Sequence, residues 1–253
     1  MKPMASRNKS NRPGKAVAPS PSTSDDSGEE QERNSFLRKL SVLEESIADL
    51  SSQHAETRQR GLSNLQHHLR TDVLLSQVQK NLDEIFDALF SCFHKGNVEN
   101  KISVLVSLNL VVMTLGNHAC NEFFNRLPVL LEQLKTGGSD VVRSSVAETI
   151  AIGVFASSPL PTEVAANMHK LARHFCQAEE NSAVKVSALK GWGLLASLLP
   201  ANLLLTPKLM AMMQTFKLLL NDQDLDVKIA AAENIAIMYE ARWRQEDRSK
   251  RSG

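Results

Sequence analysis

Apolar residues recur three, four and seven positions apart from Phe36 onward, and short polar stretches interrupt this pattern. Such spacing places the apolar side chains on one face of an α-helix, so it predicts a series of amphipathic helices. Five of these segments align on a basic residue near their start, and we call these residues the basic ladder: Arg58, Lys101, Arg143, Lys185 and Lys228. They lie 43, 42, 42 and 43 positions apart, and so regular a period predicts a repeat protein.

A second amphipathic pattern precedes each of the five segments, for example NEFFNRLPVLLEQLK at residues 121–135. A short turn rich in Gly, Asp or Asn joins the two helices, as at residues 136–140. Helix–turn–helix units of roughly 40 to 47 residues are typical of HEAT and armadillo proteins, and one unit cannot bury its apolar face alone. The sequence therefore predicts an all-α fold, a right-handed α-solenoid of about five HEAT/armadillo-like helix pairs over residues 36–243.

Two columns of residues follow the basic ladder in the aligned segments. Five positions after each ladder residue stand Ser63, Val106, Glu148, Lys190 and Glu233. Six positions after it stands the set that we call the polar column: Asn64, Ser107, Thr149, Gly191 and Asn234. We expect the polar column on the solvent side of the second helices, the side that lines the concave groove of a solenoid, together with a neighbouring column of Arg60, Ser103, Ser145, Ser187 and Ala230. Because the residue type varies from repeat to repeat, Glu233 is expected to face solvent or a partner and not to be a catalytic acid.

The two ends of the chain differ from the periodic region. Residues 1–35 hold almost no large apolar side chain, and a basic block at residues 2–15 precedes an acidic block at residues 25–32. Such a segment cannot bury enough apolar area to offset the entropy lost on ordering, so we predict a disordered tail over residues 1–35. An alternative is that the basic block is a signal for localisation or partner docking. Residues 244–253 are predicted to form a basic C-terminal tail.

Composition limits the class of protein. The chain has 253 residues with 29 Lys and Arg against 28 Asp and Glu, so its net charge gives no argument for binding nucleic acid. It has three cysteines without a close pair, no apolar signal segment after Met1, and no run of roughly 18 consecutive apolar residues. We therefore expect a reduced intracellular protein, cytoplasmic, nuclear or both, with no membrane span.

Motifs that carry chemistry are absent from the sequence. There is no Gly-rich phosphate loop, no nucleophile elbow and no Cys-x-x-Cys pair. His169, His174 and Cys176 are spaced five and two apart, which does not stack them on one helix face as metal ligands four apart would be. Cys92 and Cys176 fall in apolar helix patterns and are expected to fill the core. We expect no enzyme activity, no cofactor, no metal and no small-molecule substrate.

The basic ladder has two interpretations. It can pair with turn acids such as Glu99, Asp140 and Asp226 and with helix ends in neighbouring repeats, or it can form a strip for phosphate or an acidic partner. The first, structural, interpretation is favoured, because four of the five ladder residues have an Asp, Glu or Asn within three positions upstream.

The end of the last segment has no counterpart in the other four repeats. Its candidate partner-binding residues are Arg242, Trp243, Arg244, Arg248 and Lys250. A basic helix end with an aromatic side chain is suited to contact RNA or the ribosome. The alternative is a solvated helix terminus whose cations favour the negative end of the helix dipole.

Several blocks resemble the interferon-related developmental regulator family. In chain order they are HAETRQRGLSNLQHHL, DALFSCFHKGNVENK, RLPVLLEQL, ALKGWGLLASLLP and DLDVKIAAAENIAIMYEAR, and the resemblance covers about residues 37–243. The last block is the most specific, and members of the family often have Gly where this chain has Ala232. Members usually continue past this region into a distinct carboxy-terminal region, so the resemblance carries over only what belongs to the helical part.

The resemblance implies a role in gene-expression control. Two roles are attached to the family: transcriptional co-regulation through nuclear partners such as deacetylase co-repressor complexes, and binding to ribosomes that represses translation. We therefore expect a monomeric, non-catalytic scaffold with protein partners in a co-regulator complex, or with the ribosome or RNA. The alternative is a generic HEAT-repeat adaptor that holds an extended peptide in its groove during trafficking or nuclear transport.

Overall fold

The computed structural model describes residues 26–71, 75–157 and 160–252. The chain divides into two compact units, residues 1–38 and residues 39–253. In the first unit, the described residues 26–38 form the beginning of helix α1 (Asp26–Leu50). The other described helices belong to the second unit. Residues 1–25 of the predicted disordered tail lie outside the described residues.

The described helices form five successive pairs. The first pair is α1 with α2 (Ala55–Thr71), and the second is α4 (Leu82–Lys95) with α5 (Val98–Leu115). The third pair is α6 (Cys120–Thr136) with α7 (Asp140–Ala156), and the fourth is α8 (Pro161–Phe175) with α9 (Ser182–Ala196). In the fifth pair, α12 (Met212–Leu219) precedes α13 (Leu225–Ser252). The shorter elements are α3 (Leu75–Lys80), a 3-10 turn (Gly116–Ala119), α10 (Ala201–Leu204) and α11 (Pro207–Met210).

The second helices of successive pairs pack side by side, as α2 on α5, α5 on α7, α7 on α9 and α9 on α13. Helices α4, α6, α8 and α12 each pack on the second helix of their own pair. No strand occurs in the part of the chain that the structure describes. The second unit is therefore an all-α helical-repeat solenoid, and the predicted fold class is confirmed.

The core lies between the two layers of helices. In each of the first four pairs, the residue seven positions after the ladder residue is apolar and fully buried. These residues are Leu65, Leu108, Ile150 and Trp192. The ring of Trp192 meets the ring of Phe216, from α12, edge to face at a centroid distance of 4.9 Å. Burial of these side chains removes apolar surface from water, and this is the main force that holds the repeats together.

Side chains in the turns start the second helices. Asn97 accepts a hydrogen bond from the Asn100 amide at the start of α5, and Asn181 accepts one from the Ala183 amide at the start of α9. Asp224 does the same before α13, where its carboxylate accepts from the Asp226 amide at 2.8 Å. A helix N-terminus leaves amide groups without intrahelical partners, so these caps explain why the polar turns occur where the period predicts them.

Two predicted boundaries do not coincide with helix ends. Helix α1 begins at Asp26, within the predicted tail of residues 1–35, and carboxylates at its start, such as Glu30, suit the positive end of a helix dipole. Helix α13 runs without interruption through residues 243 and 244, where the sequence predicted a separate basic tail. Residues 244–252 therefore continue the second helix of the fifth pair.

One described helical stretch, Val98–Thr136, is long and apolar enough to cross a membrane by length and composition alone. Polar residues such as Asn117 and Asn121 interrupt the stretch, so it is not a run of consecutive apolar residues of the kind that the sequence lacks. The stretch comprises α5, the 3-10 turn and α6, and its side chains Leu105, Leu108 and Val111 are buried in the core. A core helix of a repeat protein passes the same test, so the stretch is weak evidence for a membrane span.

Candidate functional site

The first residue of the basic ladder is used within the fold. The guanidinium of Arg58 is buried and donates hydrogen bonds to the carbonyl oxygens of Ser52 at 2.9 Å and Gln53 at 2.8 Å. These carbonyl groups lie just after the end of α1, where a helix leaves its last carbonyl groups without intrahelical partners. Arg58 therefore ties the turn between α1 and α2 to the start of α2.

Arg143 and Lys185 make the same kind of contact in later repeats. Arg143 Nε donates to the carbonyl of Leu134, in the last turn of α6, at 2.8 Å. Lys185 Nζ donates to the carbonyl of Ala178, three residues beyond the end of α8, at 3.2 Å. A cation at the carboxyl end of a helix also interacts favourably with the helix dipole.

The same two cations reach the turn of the next repeat. The guanidinium of Arg143 lies 2.6 Å from the carboxylate of Glu180, and the ammonium of Lys185 lies 3.4 Å from the carboxylate of Asp222. In both cases the acid follows the cation by 37 positions. The ladder therefore connects one repeat to the next through an acid in the turn before the following second helix.

Of the three acids that pair with Arg143 and Lys185, Glu180 has the least exposed side chain. Its side chain is nearly buried, and it accepts hydrogen bonds from Arg143, from His174 Nδ1 at 3.0 Å and from the amide of Asn181 at 3.0 Å. Burial alone would raise the pKa of Glu180, but these hydrogen bonds outweigh it and hold the pKa below its usual value. The hydrogen bond to Glu180 in turn raises the pKa of Arg143.

The remaining ladder residues behave differently. The ammonium of Lys101 lies 5.4 Å from the centre of the Phe93 ring, a cation–π contact. Lys228 is half-buried, and its ammonium has no hydrogen bond or ion pair with any residue in the described ranges. Glu99 and Asp226, two of the expected turn acids, form no ion pair with the ladder among the described residues, whereas Asp140 contacts Arg143 at 3.1 Å.

Four of the five residues of the polar column are buried, and so are Ser187 and Ala230 of the neighbouring column, so the expectation that these columns face solvent was wrong. Ser107, Thr149 and Asn234 are each at most 1% exposed. The column lies where neighbouring second helices approach each other: Asn234 Nδ2 donates to the carbonyl of Leu189 in α9 at 2.9 Å, and Gln66 Nε2 donates to Ser107 Oγ at 3.1 Å. Small residues occupy these positions because only they allow the helices to approach closely.

Glu233, one position before Asn234, is exposed, as its sequence interpretation expected. Cys92 is buried, but Cys176 is exposed because α8 ends at Phe175 and Cys176 follows that end. The expectation that Cys176 fills the core was therefore wrong. Among the described residues there is no group of three His, Cys, Asp or Glu side chains placed to hold a metal ion.

The exposed side of α13 carries an uninterrupted apolar stripe. Leu225 is 67% exposed and Trp243 is 66% exposed. We call the stripe the outer face of α13, and its members are Leu225, Ile229, Ala232, Ala236, Tyr239 and Trp243. Spacings of three and four place all six on one side of the helix. An exposed apolar surface of this extent commonly marks an interaction site.

The candidate partner-binding residues lie at the far end of α13. Trp243 belongs to the outer face, whereas Arg242 lies on another side, 3.0 Å from Glu246 one turn further on. Arg244 forms an equivalent pair with Glu240. The side chain of Lys250 is exposed, and that of Arg248 lies outside the described residues. The arginines are thus bridged within the helix, and Trp243 is the group most available to a partner.

A shallow groove beside these residues separates α13 from α10 and α11. It has a volume of about 580 Å³ and is lined by Leu205, Met210, Arg242, Gln245, Glu246 and Lys250. The predicted residues Arg242 and Lys250 therefore share one concave surface, while Trp243 lies on another.

Sequence reasoning did not identify the outer face of α13. The signal was present, since the apolar residues of the segment form two stripes on opposite sides, and one stripe is enough to pack against α9 and α12. The aligned segments hid the second stripe, because in the earlier repeats the equivalent positions belong to an interface with the next repeat.

Comparisons with known proteins agree with this architecture. A model of the interferon-related developmental regulator family matches residues 15–253. Interferon-related developmental regulator 1 of Mus musculus is 23% identical over 201 residues, which covers 74% of this chain and 44% of that protein. The protein of the same name from Homo sapiens is 22% identical, with the same coverage. The chain thus spans less than half the length of these curated relatives.

Among solved structures, the crystal structure of an engineered protein is similar in fold. Its TM-score is 0.58 at 17% sequence identity, and the match covers 78% of each chain. At this identity the likeness concerns the fold alone. The match to the family model, by contrast, extends over most of the chain and through all five helix pairs. The chain therefore belongs to the interferon-related developmental regulator family.

Proposed function

We propose that the protein is a non-catalytic scaffold in gene-expression control that acts through transcriptional co-regulation, ribosome-associated translational control or both. The observation that carries the proposal is the exposed Trp243 between two arginines, at the end of a repeat array whose family is that of developmental regulators. Because the chain spans less than half the length of its relatives, the activity of the whole relatives is not assumed for it.

The physical case rests on how Trp243 is presented. Its side chain is 66% exposed, on a helix that packs firmly only through its opposite side. Tryptophan is the residue type most enriched among those that dominate binding energy at interfaces. A nucleic acid base stacked on such a ring contributes about 1–3 kcal/mol. A phosphate or an acidic partner would compete with Glu246 and Glu240 for the neighbouring Arg242 and Arg244.

The test uses the double variant Trp243→Ala with Arg244→Ala in the full chain. Sucrose-gradient fractionation and pull-down from nuclear extract are compared with the unaltered protein. We expect the variant to lose its association with ribosomal fractions or with a chromatin co-regulator complex. A matched control is Met113→Ala, because Met113 is also about two-thirds exposed, at 65%, but lies on α5. Absence of the unaltered chain from both fractions would contradict the proposal.

A second candidate function is an adaptor that binds an extended peptide. It is favoured by a groove of about 530 Å³ between α9 and α13, lined by Leu189, Gly193, Asn234 and Ile237 among others. The side-chain oxygen of Asn234, at the floor of this groove, has no hydrogen-bond partner among the described residues. Chemical crosslinking from Lys190, at the rim, would favour this function if it recovered cargo peptides or transport factors instead of ribosomal or co-regulator proteins.

A further inference from the structure

The second helices meet each other through a repeated arrangement. The polar-column residue of one second helix packs against two residues of the preceding second helix. These two residues lie four and eight positions after the ladder residue of that preceding helix. A methyl group added to Gly191 would lie 2.8 Å from Cβ of Ala151, and one added to Gly193 would lie 2.7 Å from Oδ1 of Asn234. Thus Gly191 of α9 covers α7, and Asn234 of α13 covers α9.

The equivalent positions of α13 are uncovered. Ala147 and Ala151 in α7, and Leu189 and Gly193 in α9, are all buried. Their counterparts in α13 are Ala232 and Ala236, both exposed at the centre of the outer face. The surface that receives a following repeat in α7 and α9 therefore has a counterpart in α13, and Ala232 and Ala236 match the alanines at the equivalent positions of α7.

The basic ladder provides an independent observation. Arg143 and Lys185 each bind an acid in the turn of the next repeat, and both acids follow their cation by 37 positions. Lys228, the next ladder residue, has no ion pair with the described residues. Among the described residues, Lys228 of the uncovered surface is therefore unpaired at the place where the covered surfaces of α7 and α9 have a cation bound to an incoming carboxylate.

A second copy of this chain does not complete the arrangement. The copy would have to present its own first turn to Lys228, and that turn consists of Ser51, Ser52, Gln53 and His54, with no acid. A head-to-tail contact of this kind would also not close on itself, and repeated copies would form a filament. The missing carboxylate thus argues for a partner of different sequence.

We propose that the outer face of α13 docks a helical hairpin of a partner protein in the manner of a further repeat. The turn of the hairpin carries an Asp or Glu that binds Lys228. Its second helix places a small or short polar residue over Ala232 and Ala236. Gly191 follows Glu180 by eleven positions and Asn234 follows Asp222 by twelve, so the partner's small residue follows its acid by eleven or twelve. This inference does not depend on whether the partner belongs to transcription or translation.

The test is site-specific photo-crosslinking in the full chain. Ala236 is replaced by the photoreactive amino acid p-benzoylphenylalanine, the chain is expressed in its native cells, and adduct peptides are identified by mass spectrometry. The same replacement at the exposed Met113 of α5 is the control. We expect an adduct specific to position 236, in a different polypeptide, at a small or short polar residue that follows an Asp or Glu by eleven or twelve positions.

Charge reversal then tests whether Lys228 pairs with the acid in the turn of the partner. Lys228→Glu is expected to lower the adduct yield about tenfold, as loss of one interfacial charge pair commonly does, and reversal of the partner's acid to Lys is expected to restore it. Thermal unfolding of Lys228→Glu should match that of the unaltered chain, which separates loss of docking from loss of the fold. An adduct within the same polypeptide or with a second copy, an adduct with RNA, no adduct above the Met113 control, or failure of the rescue would each overturn the proposal.

The proposed function can fail separately. The double variant at Trp243 and Arg244 leaves Lys228, Ala232 and Ala236 unchanged. Loss of ribosomal or co-regulator association in that variant, with the position 236 adduct retained, would support the proposed function and the docking surface as two separate contacts. Retention of both the association and the adduct would contradict the role of Trp243 in the proposed function and leave docking of the hairpin supported.

Discussion

The interface between α9 and α13 and the outer face of α13 occupy equivalent positions in successive repeats, yet one is closed and the other is open. At the closed interface, Leu189 and Gly193 are buried beneath Asn234, and Lys185 is bound to Asp222. At the open face, Ala232 and Ala236 are exposed and Lys228 has no partner among the described residues. The same local sequence pattern is thus buried where the next helix pair covers it and exposed on α13, where none of the described residues covers it.

Replacing each tryptophan should give the largest contrast between core and surface. Trp192 is fully buried against Phe216, so Trp192→Ala should lower the free energy of unfolding by about 3–5 kcal/mol through lost burial and a cavity. Trp243→Ala should change it by less than about 0.5 kcal/mol, because Trp243 is largely exposed. Urea unfolding followed by circular dichroism measures both, and equal losses would refute the distinction.

The next effect concerns the buried acid that joins two repeats. Glu180→Gln should lower the free energy of unfolding at neutral pH by about 1.5–3 kcal/mol, because Arg143 and His174 lose a charged partner. The pKa of Glu180 is lowered in the folded state, so its stabilisation is fully present above the pKa of an unfolded glutamate. That stabilisation is lost as pH falls through the folded pKa.

Unfolding by urea at a series of pH values tests this dependence. The difference between the unaltered chain and Glu180→Gln should be constant near neutral pH and should shrink under acidic conditions. A difference that grows as the pH falls would contradict the assignment. Exposed Glu233 offers a control, since Glu233→Gln should show little change at any pH.

Matched leucine substitutions compare the two faces directly. Gly193→Leu should destabilise the chain by about 1–3 kcal/mol, because even a methyl group there would come within 2.7 Å of Asn234. Ala236→Leu, at the equivalent position of α13, should change stability by less than about 0.5 kcal/mol. Thermal unfolding of the two variants is the measurement. A large loss for Ala236→Leu would mean that the outer face is already covered within the molecule.

The smallest expected difference in stability is between two ladder residues, Lys185 at the closed interface and Lys228 at the open face. Lys185→Met should cost about 1 kcal/mol, because it removes the hydrogen bonds to Ala178 and Asp222. Lys228→Met should cost less than that, since no partner of the Lys228 ammonium lies among the described residues. High-precision urea unfolding can separate the two. Equal costs would show that Lys228 already has a stabilising role in the isolated chain.

Much of the fold could be predicted from the sequence, because each repeat needs the same pattern of apolar and polar positions. The period of the basic ladder and the apolar stripes located all five helix pairs, since each pattern reports one face of one helix. The polar column was misassigned for the opposite reason. Ser107 and Asn234 are polar, and a single sequence does not reveal that such a residue sits between two helices and donates a hydrogen bond to a backbone carbonyl there.

The candidate site could be predicted only in part. Trp243 and its arginines stood out because no other repeat has them, and the structure places Trp243 on an exposed surface. The roles of Arg58 and Lys185 depended on carbonyl groups in the turns that follow the preceding helices, which no side-chain pattern encodes. The open face of α13 depended on the absence of a covering helix, and only the packed arrangement of α7, α9 and α13 makes that absence visible.

The most direct test of the open face is the rate of thiol labelling at position 236. Ala236→Cys is prepared in a chain whose accessible cysteines, Cys120 and Cys176, are changed to Ser, and buried Cys92 is kept. In the isolated chain the thiol should react at the rate of an unhindered cysteine. In the native complex we predict labelling at least about tenfold slower, with fast labelling restored by Lys228→Glu. Slow labelling in the isolated chain, or equally fast labelling in the complex, would contradict the account.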